Sequence, residues 1–379
     1  MFAVGTEWQE IKHNMKLWGK YLLCSVVVSL LSACHLRPTE QGQQYKDGHF
    51  TQDFRLVNTP NAQGSPVNAG DFITQVKLIS ESAPQLYANQ RATFNAIENW
   101  MQYGGNIRSL AQFGLLAYQM EGEDNYGNVK FTGYYTPILQ ARHIKQGEFR
   151  YPLYQMPDKR YSPLPERAAI YNGILDKRWI IGYSNSLIDN FLMEVQGSGY
   201  VDFGDNNPLT FFGYGGKNGH VYRSIGKVLI DSGKIPREEI SLRAIRQWAE
   251  KHNESEVRQV LEQNPSFVFF KPEPYTAVRG ASAVPLVAKA SVASDKALVP
   301  PGTVLLAEVP VLDNLGKFTG QYRLRLMVAL DVGGAIKGHH FDIYHGVGSR
   351  AGEMAGFYNH YGRVWILKKA LSGFLAANQ

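Results

Sequence analysis

The fold class is decided by residues 322–346, which read "YRLRLMVALDVGGAIKGHHFDIYHG". The first ten residues alternate between an apolar set and a mixed set, and this period of two predicts a β-strand with two different faces. The apolar set is Tyr322, Leu324, Leu326, Val328 and Leu330, and the mixed set is Arg323, Arg325, Met327, Ala329 and Asp331. After a glycine-rich connection the alternation resumes, with His340, Asp342 and Tyr344 opposite Phe341, Ile343 and His345. The segment therefore predicts two strands, each carrying one aspartate.

The surrounding sequence places these strands in a β-rich second half that follows helices. Further strands are predicted for "SFVFF" (266–270), "TVLLAEVPV" (303–311) and "RVWILKK" (363–369). Helical spacing occurs in "AGDFITQVKLISES" with Asp71 as its cap, in "NQRATFNAIENWMQYGG", and in two helices that are broken near Asn253. Short strands after helices predict a mainly β protein with helices (α+β), in which a small closed barrel joins a helical segment.

The first 34 residues predict a lipoprotein signal peptide. Residues 12–20 contain three lysines, an apolar run follows at 21–31, and "LSAC" (31–34) ends it. A basic start, a short apolar core and a small-residue cleavage site are typical of export signals. The run is shorter than the roughly 20 residues that span a bilayer. "LSAC" also resembles a bacterial lipobox, in which Cys34 carries the lipid, and the non-acidic His35 resembles sorting to the outer membrane.

Cysteine content and charge narrow the function classes. The chain has 2 cysteines, and Cys24 lies in the apolar core of the signal, so the mature chain keeps only Cys34 and forms no internal disulfide. The formal net charge is +6; the first 34 residues hold three Lys and two Glu, which leaves +5 for the rest. Mild basicity with 21 tyrosines suits an anionic, carbohydrate-bearing partner. No nucleic-acid-binding motif is present, so we expect no nucleic-acid partner.

A metal site is one interpretation of the histidines around Asp342. His339, His340 and His345 are possible further ligands, but on a strand His339 and His345 point away from the other two side chains. A three-ligand site would need another histidine, such as His360, and no metal motif of fixed spacing is present. We therefore predict no metal.

Nucleophilic and dinucleotide sites lack their motifs. No GxSxG elbow occurs, and Ser198 in "QGSGY" has no flanking elbow pattern. The glycine clusters "GYGG" and "GKNGH" do not form GxGxxG after a strand. We therefore predict no cofactor.

Glycoside chemistry fits the two aspartates. It requires a carboxylic acid that protonates the bridging oxygen, and most hydrolases add a second carboxylate. Asp331 and Asp342 are eleven residues apart, joined by the flexible "VGGAIKG". An aspartate beside an apolar strand can have a pKa raised by desolvation, which suits a general acid. For Asp331, a structural ion pair with Arg323 or Arg325 stays open as an alternative.

Aromatic and polar clusters elsewhere predict a sugar-binding groove. Sugars are bound by flat aromatic faces together with hydrogen-bonding amides and hydroxyls. The clusters are "FTGYYTP" (131–137), "VQGSGY" (195–200) and "GYGGKNGHVYRSIG" (213–226). The predicted substrate-binding residues are Thr132, Gly133, Tyr134, Tyr135, Gln196, Gly197, Ser198, Gly199, Lys217, Asn218, Tyr222 and Arg223.

Several blocks together resemble the membrane-bound lytic murein transglycosylase A family. They are "QMEGEDNYGNVKFTGYYTP", "VQGSGYVDFG", "GKNGHVYRSIGKVLI", "NPSFVFF", "ASAVPL" and "LDVGGAIKGHHFDIYHG", and the resemblance runs from about residue 44 to "YNHYGRVWILK". It implies a double-psi β-barrel with an inserted second β-rich domain and a groove between them for a glycan strand. The implied division is a signal at 1–34, a first barrel part with N-terminal helices at 35–136, an insert at 137–276 and a C-terminal barrel part at 277–379.

The same resemblance implies the chemistry. The family cleaves the β-1,4 bond between N-acetylmuramic acid and N-acetylglucosamine without water and leaves a 1,6-anhydro end. Its single catalytic acid matches Asp342 in "HFDIY", and Asp331 matches a supporting aspartate. A barrel-type glycoside hydrolase and a non-catalytic peptidoglycan-binding lipoprotein remain as alternatives.

Partners and location follow from the signal and the resemblance together. The expected partners are peptidoglycan glycan strands and, through the lipid on Cys34, the outer membrane on its periplasmic side. Other cell-wall enzymes or scaffold proteins are further candidate partners.

Overall fold

The computed structural model describes residues 44–158, 163–274 and 276–370, so the predicted signal and Cys34 lie outside the described residues. Two β-sheets organise these residues. One contains eight strands and includes a closed barrel, and the other contains six strands that lie in sequence between two strands of the first sheet.

The barrel sheet is built from both ends of the chain. Its strands are β1 (Phe54–Val57), β2 (Leu115–Met120), β3 (Val129–Thr136), β10 (Ser291–Ala293), β11 (Val304–Leu312), β12 (Phe318–Asp331), β13 (His340–Val347) and β14 (Asn359–Lys369). Their order is β1-β2-β14-β11-β12-β10-β13-β3, and β14 also pairs with β3. Six strands therefore close into a ring, which leaves those strands no free edge. The predicted closed barrel is confirmed.

Two N-terminal helices, α1 (Ala69–Ser82) and α2 (Pro84–Gln102), cover one side of this sheet. The predicted helical spacing is confirmed, but the predicted cap is wrong: α1 begins after Asn68, and Asp71 lies in its first turn. Asn68 does not cap the helix because its side chain bonds the backbone of Leu326, donating to the carbonyl at 2.8 Å and accepting from the N–H at 2.9 Å. The apolar faces of both helices pack on the outer face of β12 through Phe72, Ile79, Phe94, Trp100, Leu324, Val328 and Leu330.

Strand β12 has the two faces that its alternation predicts. Met327 and Ala329 lie in the barrel core with Phe341 and other apolar residues of the ring. Arg325 alternates in phase with Met327 and therefore lies towards one mouth of the barrel, whereas Asp331 ends the strand at the other. Six residues at about 3.3 Å each separate them by about 20 Å. The alternative ion pair of Asp331 with Arg323 or Arg325 is therefore wrong.

The inserted sheet has its own helices. Its strands are β4 (Ile138–Arg142), β5 (Tyr151–Tyr154), β6 (Ile180–Ser184), β7 (Gly199–Asp202), β8 (Thr210–Lys217) and β9 (Val268–Glu273), in the order β5-β6-β4-β7-β8-β9. The helices are α3 (Arg167–Tyr171), α4 (Leu187–Gln196), α5 (Ile225–Asp231), α6 (Leu242–Glu250) and α7 (Glu254–Leu261). The predicted break near Asn253 is confirmed, because Asn253 and Glu256 form a capping box that starts α7. Short 3₁₀ helices lie at Ile107–Phe113, Lys177–Trp179 and Arg237–Glu239.

The chain enters the insert directly after β3 and returns to the barrel after β9. Tyr200 of β7 contacts both connections: its N–H donates to the carbonyl of Pro137 at 2.8 Å, and its phenol donates to the carbonyl of Thr276 at 2.5 Å. Tyr200 also packs in one apolar cluster with Tyr134 and Tyr344 of the barrel. A second contact joins α6 to the last helix, α8 (Ser349–Phe357), where Arg243 lies 3.7 Å from Glu353. The inserted sheet spans residues 138–273. The exact limits of the inserted domain, 137 and 276, stay predictions.

Candidate active site

Asp342 lies on the outer face of β13, opposite Thr132 of the parallel strand β3. The neighbouring side chains Phe341 and Ile343 point into the barrel core, so the alternation turns Asp342 outwards. The Thr132 hydroxyl donates to Asp342 Oδ1 at 2.7 Å. The same hydroxyl oxygen lies 2.8 Å from Nε2 of His340. Pairing of β3 with β13 thus builds a short polar chain from three residues that two distant segments supply.

The pKa of Asp342 is raised to about 7, chiefly by burial; the Thr132 bond lowers this pKa and the negative charge of Asp331 raises it. The Asp342 side chain is only partly exposed, and its removal from water disfavours the charged form of the carboxyl group. A group with a pKa near the working pH can both give and take a proton, as a catalyst that acts as acid and then as base requires.

Asp331, at the end of β12, is held by three donors. Its Oδ1 accepts the backbone N–H groups of Ala281 and Val332, both at 2.9 Å, and its Oδ2 accepts the Tyr134 hydroxyl at 2.9 Å. Burial raises the pKa of Asp331, and the three bonds lower it because they favour the carboxylate. Burial also raises the pKa of Tyr134 well above its usual value, so its hydroxyl stays a neutral donor.

His340 stays neutral beside Asp342. Burial and the nearby Lys130 lower the pKa of His340 to about 4. A neutral imidazole adds no positive charge that would favour the carboxylate form of Asp342. Because the Thr132 hydroxyl donates its single proton to Asp342, the bond to His340 forms when Nε2 of the ring carries the proton and donates it to the Thr132 oxygen.

The chain is 65% identical over 353 residues to membrane-bound lytic murein transglycosylase A of Escherichia coli (strain K12), which covers 93% of this chain and 96% of that protein. The chain belongs to this family. It is also 43% identical over 350 residues to the membrane-bound lytic murein transglycosylase A of Vibrio cholerae serotype O1, covering 92% of this chain and 95% of that protein.

Solved structures and family models agree with this membership in the lytic murein transglycosylase A family. A crystal structure of the E. coli protein with bound chitohexaose superposes with a TM-score of 0.86 at 64% identity, covering 88% of this chain and 100% of that one. The model of the MltA specific insert domain matches residues 130–271, and that of the 3D domain matches residues 290–368. The predicted α+β fold, a double-psi barrel with an inserted domain, and the predicted lytic transglycosylase enzyme are confirmed.

Replacing Thr132 with Val should shift the pH profile of kcat/KM upwards. The Thr132 bond lowers the pKa of Asp342, so its removal raises that pKa, and the protonated acid persists to higher pH. Activity that requires the acid form falls as pH rises through this pKa. The alkaline fall of Thr132→Val should therefore lie at higher pH than that of the wild type in rates measured on purified peptidoglycan. Thr74→Val, at an exposed helical threonine, is the matched control, and an unchanged Thr132→Val profile would contradict the assignment.

Three of the predicted substrate-binding residues hold the insert and helix α8 against the barrel. Gly133 lies under α8, where an added Cβ would lie 2.7 Å from the Cα and carbonyl oxygen of Ala355. The Tyr135 backbone N–H donates to Gln196 Oε1 at 3.0 Å, and its buried phenol accepts from Arg246 at 2.8 Å. These contacts give Gly133, Tyr135 and Gln196 a structural role next to the site.

The glycine-rich segment after α4 forms a sharp turn into β7. Gly197 adopts a φ of +82°, which favours glycine, and ends the helix. Gly199 begins β7 so close to the side chain of Met193 that a Cβ there would clash. Ser198 lies half-buried between them, and its contact with a substrate stays a prediction.

The third predicted cluster divides into exposed and buried members. Lys217, Tyr222 and Arg223 are exposed on the insert, and their substrate contacts stay predictions. Asn218 is buried: its amide donates to the carbonyls of Pro165 and Pro265, both at 2.9 Å, and accepts the N–H of Phe267 at 2.9 Å. This saturated environment argues against a direct contact of Asn218 with a substrate.

The histidines around Asp342 do not converge on one metal centre. His340 faces Thr132, whereas Nε2 of His339 lies 3.3 Å from both Asp53 and Glu121. That trio is the one group of potential metal ligands in the described ranges. Nε2 of His339 is within reach of both carboxylates, so contacts among the three side chains themselves account for the arrangement.

Two contributors to the site were not predicted. His340 shares the face of Asp342 in the alternation, but its bond to Thr132 depends on the pairing of β3 with β13, which the sequence does not show. The N–H of Ala281 reaches Asp331 from "ASAVPL", a segment with no polar pattern. No local signal could have identified a backbone donor.

Proposed function

We propose that this chain cleaves the β-1,4 bond between N-acetylmuramic acid and N-acetylglucosamine in peptidoglycan and leaves 1,6-anhydromuramoyl ends. The observation that carries the proposal is the contrast between two carboxyl groups. Asp342 has a pKa of about 7 and few partners, whereas both oxygens of Asp331 accept hydrogen bonds from three donors. One group is therefore equipped for proton transfer and the other for support.

In the proposed mechanism Asp342 acts twice. The protonated carboxyl donates to the glycosidic oxygen, and the bond to the muramic anomeric carbon breaks through an oxocarbenium-like state. The resulting Asp342 carboxylate then removes the proton of the muramic 6-hydroxyl, whose oxygen bonds to the anomeric carbon. Asp342 ends protonated, as it began, so no second base and no water are consumed.

A hydrolase would need a carboxylate that holds and activates a water molecule or attacks the sugar itself. Asp331 is the candidate, but Tyr134, Ala281 and Val332 already bond its oxygens. By contrast, the 6-hydroxyl is tethered to the reacting ring, and its effective concentration exceeds that of a free nucleophile by orders of magnitude. Support for the transglycosylase reaction thus comes from the way Asp331 is bound.

The glycan strand is the proposed ligand of the surface between the barrel and the insert. An E. coli relative of this chain binds chitohexaose, an oligosaccharide. On the insert, Tyr214 is 57% exposed and Tyr222 is 42% exposed, and such rings can stack on sugar faces. We propose that these two tyrosines, with Lys217 and Arg223, contact the strand that reaches Asp342.

Digestion of purified sacculi in heavy-oxygen water tests the reaction. We expect fragments that end in anhydromuramic acid, one water lighter than the fragments of a hydrolytic muramidase, with no solvent oxygen at the muramic anomeric carbon. A muramidase digest in the same water is the control. Solvent oxygen at that carbon would overturn the transglycosylase reaction and favour the barrel hydrolase. Binding without any cleavage would favour a wall-binding lipoprotein.

The proposed location is the periplasmic face of the outer membrane, with the lipid on Cys34 as anchor. "LSAC" motivates this proposal, and both relatives named above are described as membrane-bound. Within residues 44–158, 163–274 and 276–370, the helices are all too short or too polar to cross a membrane.

Cys34→Ala should abolish fatty-acid labelling and release the protein from the membrane fraction, because the substitution removes the thiol that would carry the lipid. Metabolic labelling with a radioactive fatty acid, followed by fractionation, measures both effects. Cys24→Ala, in the apolar core of the signal, is the matched control and should keep the label. Label on the Cys34→Ala protein would show that the anchor lies elsewhere.

A further inference from the structure

A second polar site lies at the barrel mouth remote from Asp331. It is a pocket of about 110 Å³ between the ends of β11, β12 and β13 and helix α8. Lys289, Arg323, Arg325, His345 and Tyr358 contribute its polar groups. Arg323 and Arg325 reach it because they lie on the inner face of β12, beyond the last apolar layer of the core. Neither the proposed reaction nor the proposed glycan contacts use this pocket.

The positive charges in the pocket have no carboxylate partner. Within the described part of the chain, no ion pair or side-chain hydrogen bond joins Lys289, Arg323 or Arg325 to an acidic group. Asp71 is the one carboxylate whose charge acts on Lys289 and Arg325, while Arg350 adds a further positive charge near Lys289. Burial and the neighbouring arginines lower the pKa values of Lys289 and Arg325. Arg323 at the exposed rim and the half-buried Lys289 and Arg325 thus bring three like charges together, which favours binding of an anion.

His345 adds an unused donor. Its side chain is 8% exposed, and neither ring nitrogen has a hydrogen-bond partner. Burial and the charges of Lys289 and Arg325 lower the pKa of His345 to about 3, so the ring is neutral and carries one N–H. A buried polar group without a partner is rare in folded proteins and requires an explanation. A ligand in the pocket that accepts a hydrogen bond supplies one.

We propose that this pocket, lined by Lys289, Arg323, Arg325 and His345, binds a phosphate-class dianion. The three cations exceed the one nearby carboxylate, Asp71, by two charges, so a monovalent anion would leave one charge uncompensated, whereas a phosphate monoester carries about −1.5 to −2 at pH 7. Guanidinium groups match the geometry of phosphate oxygens and bond them in pairs. The pocket has room for one phosphate group, and none of the side chains that line it is acidic.

The phosphate could come from free inorganic phosphate or from a lipid whose headgroup ends in a phosphate monoester. Both sources present the same chemistry to the pocket. The proposal does not rest on the proposed glycan cleavage: His345 lies three residues beyond Asp342 on β13 but on the opposite face of the strand, and phosphate binding is measured without peptidoglycan. Failure of one proposal therefore leaves the other standing.

Titration of the full-length protein with inorganic phosphate tests the proposal. The readouts are the midpoint of thermal unfolding and the imidazole resonances of His345 in NMR spectra. A ligand that binds the folded state raises the midpoint by mass action. We expect phosphate to raise it more than sodium chloride of equal ionic strength does, and to shift the His345 resonances. Equal effects of phosphate and chloride, with unmoved His345 resonances, would overturn the proposal.

Arg325→Met should raise the unfolding temperature of the free protein and lower its affinity for phosphate. Without phosphate, the variant should unfold at a higher temperature than the wild type, because a buried like charge is gone. With phosphate, its affinity should fall at least tenfold. Arg108→Met, at an exposed arginine of the first 3₁₀ helix, removes the same charge and should change neither readout. Should Arg325→Met fail to fold, Arg323→Gln at the exposed rim replaces it, and wild-type phosphate affinity in a folded variant would contradict the site.

Glycerol 3-phosphate distinguishes the two sources. A site for a lipid headgroup should bind this monoester at least as tightly as inorganic phosphate, with glycerol as the uncharged control. A site for free phosphate should bind inorganic phosphate and exclude the monoester. Either result supports the pocket as a phosphate site, whereas binding of neither ligand overturns it.

Discussion

Asp342→Asn should lower the turnover of purified peptidoglycan by on the order of a thousand-fold or more. General acid–base catalysis by one group contributes roughly 10²–10⁴-fold, and Asp342 is proposed to act in both steps. Asparagine preserves the volume of the side chain and accepts the Thr132 hydrogen bond, but it has no proton to give. Release of soluble fragments from sacculi measures the loss.

Binding to peptidoglycan shows whether Asp342→Asn has lost only the proton transfer or the whole binding site. The asparagine variant should still sediment with peptidoglycan, because the exposed tyrosines of the insert are unchanged. Asp313→Asn, at an exposed turn of the barrel, is the matched control and should keep wild-type turnover. Turnover within a few-fold of the wild type in Asp342→Asn would remove Asp342 from the mechanism.

The same substitution should change stability with pH. The pKa of Asp342 is about 7 in the folded state and lies near its ordinary value of 3.8 in the unfolded chain, so the folded state binds the proton more tightly. Wild-type stability therefore falls as pH rises from about 4 through 7, and asparagine removes this dependence. The difference between variant and wild-type unfolding midpoints should grow in favour of the variant between pH 4 and pH 8. A constant difference would show that Asp342 is an ordinary carboxylate.

Asp331→Asn should lower turnover less, by about tenfold to hundredfold, which is the range that small misplacements at an active site produce. The amide oxygen can still accept from Ala281 and Val332, and the Tyr134 hydroxyl can turn to accept from the new amide. The negative charge that raises the pKa of Asp342 disappears, so the alkaline fall of kcat/KM should move to lower pH. This shift is opposite in sign to that expected for Thr132→Val.

The extent of the loss in Asp331→Asn distinguishes two roles. A supporting residue leaves measurable activity and moves the pH profile. Removal of a catalytic base would abolish turnover, as removal of Asp342 is expected to do. Equal losses of turnover in folded Asp331→Asn and Asp342→Asn would favour the hydrolase. Asp313→Asn, at the exposed turn of the barrel, is again the control for removal of one surface charge.

The sequence predicted what depends on local periodicity. Alternation in 322–346 placed Asp342 on the face opposite Phe341 and Ile343, and it separated Met327 from Leu326 and Val328, as the structure shows. Which face of β12 enters the barrel was not predicted. The break at Asn253 was visible because a capping box is a local motif. These features require no knowledge of which strands pair.

Features that depend on long-range pairing could not be predicted. Asn218 appeared available to a sugar, but three backbone partners from separate segments saturate its amide. Arg325 appeared able to neutralise Asp331, because the sequence does not show that β12 runs from one mouth of the barrel to the other and so separates the two side chains. Asp71 appeared to be a cap because the backbone of Leu326, which engages Asn68, is far away in sequence.

The hydrogen bond between Thr132 and Asp342 joins residues that are 210 positions apart, and it forms only when β3 pairs with β13. The ring cannot close until the whole insert and the last strands have been synthesised, so the catalytic centre is assembled late in folding. Non-local pairings of this kind slow folding, because loop-closure entropy is lost before the contacts form. A chain in which β13 has not yet paired with β3 therefore lacks the Thr132–Asp342 contact, and the proposed acid is not in place until that pairing forms.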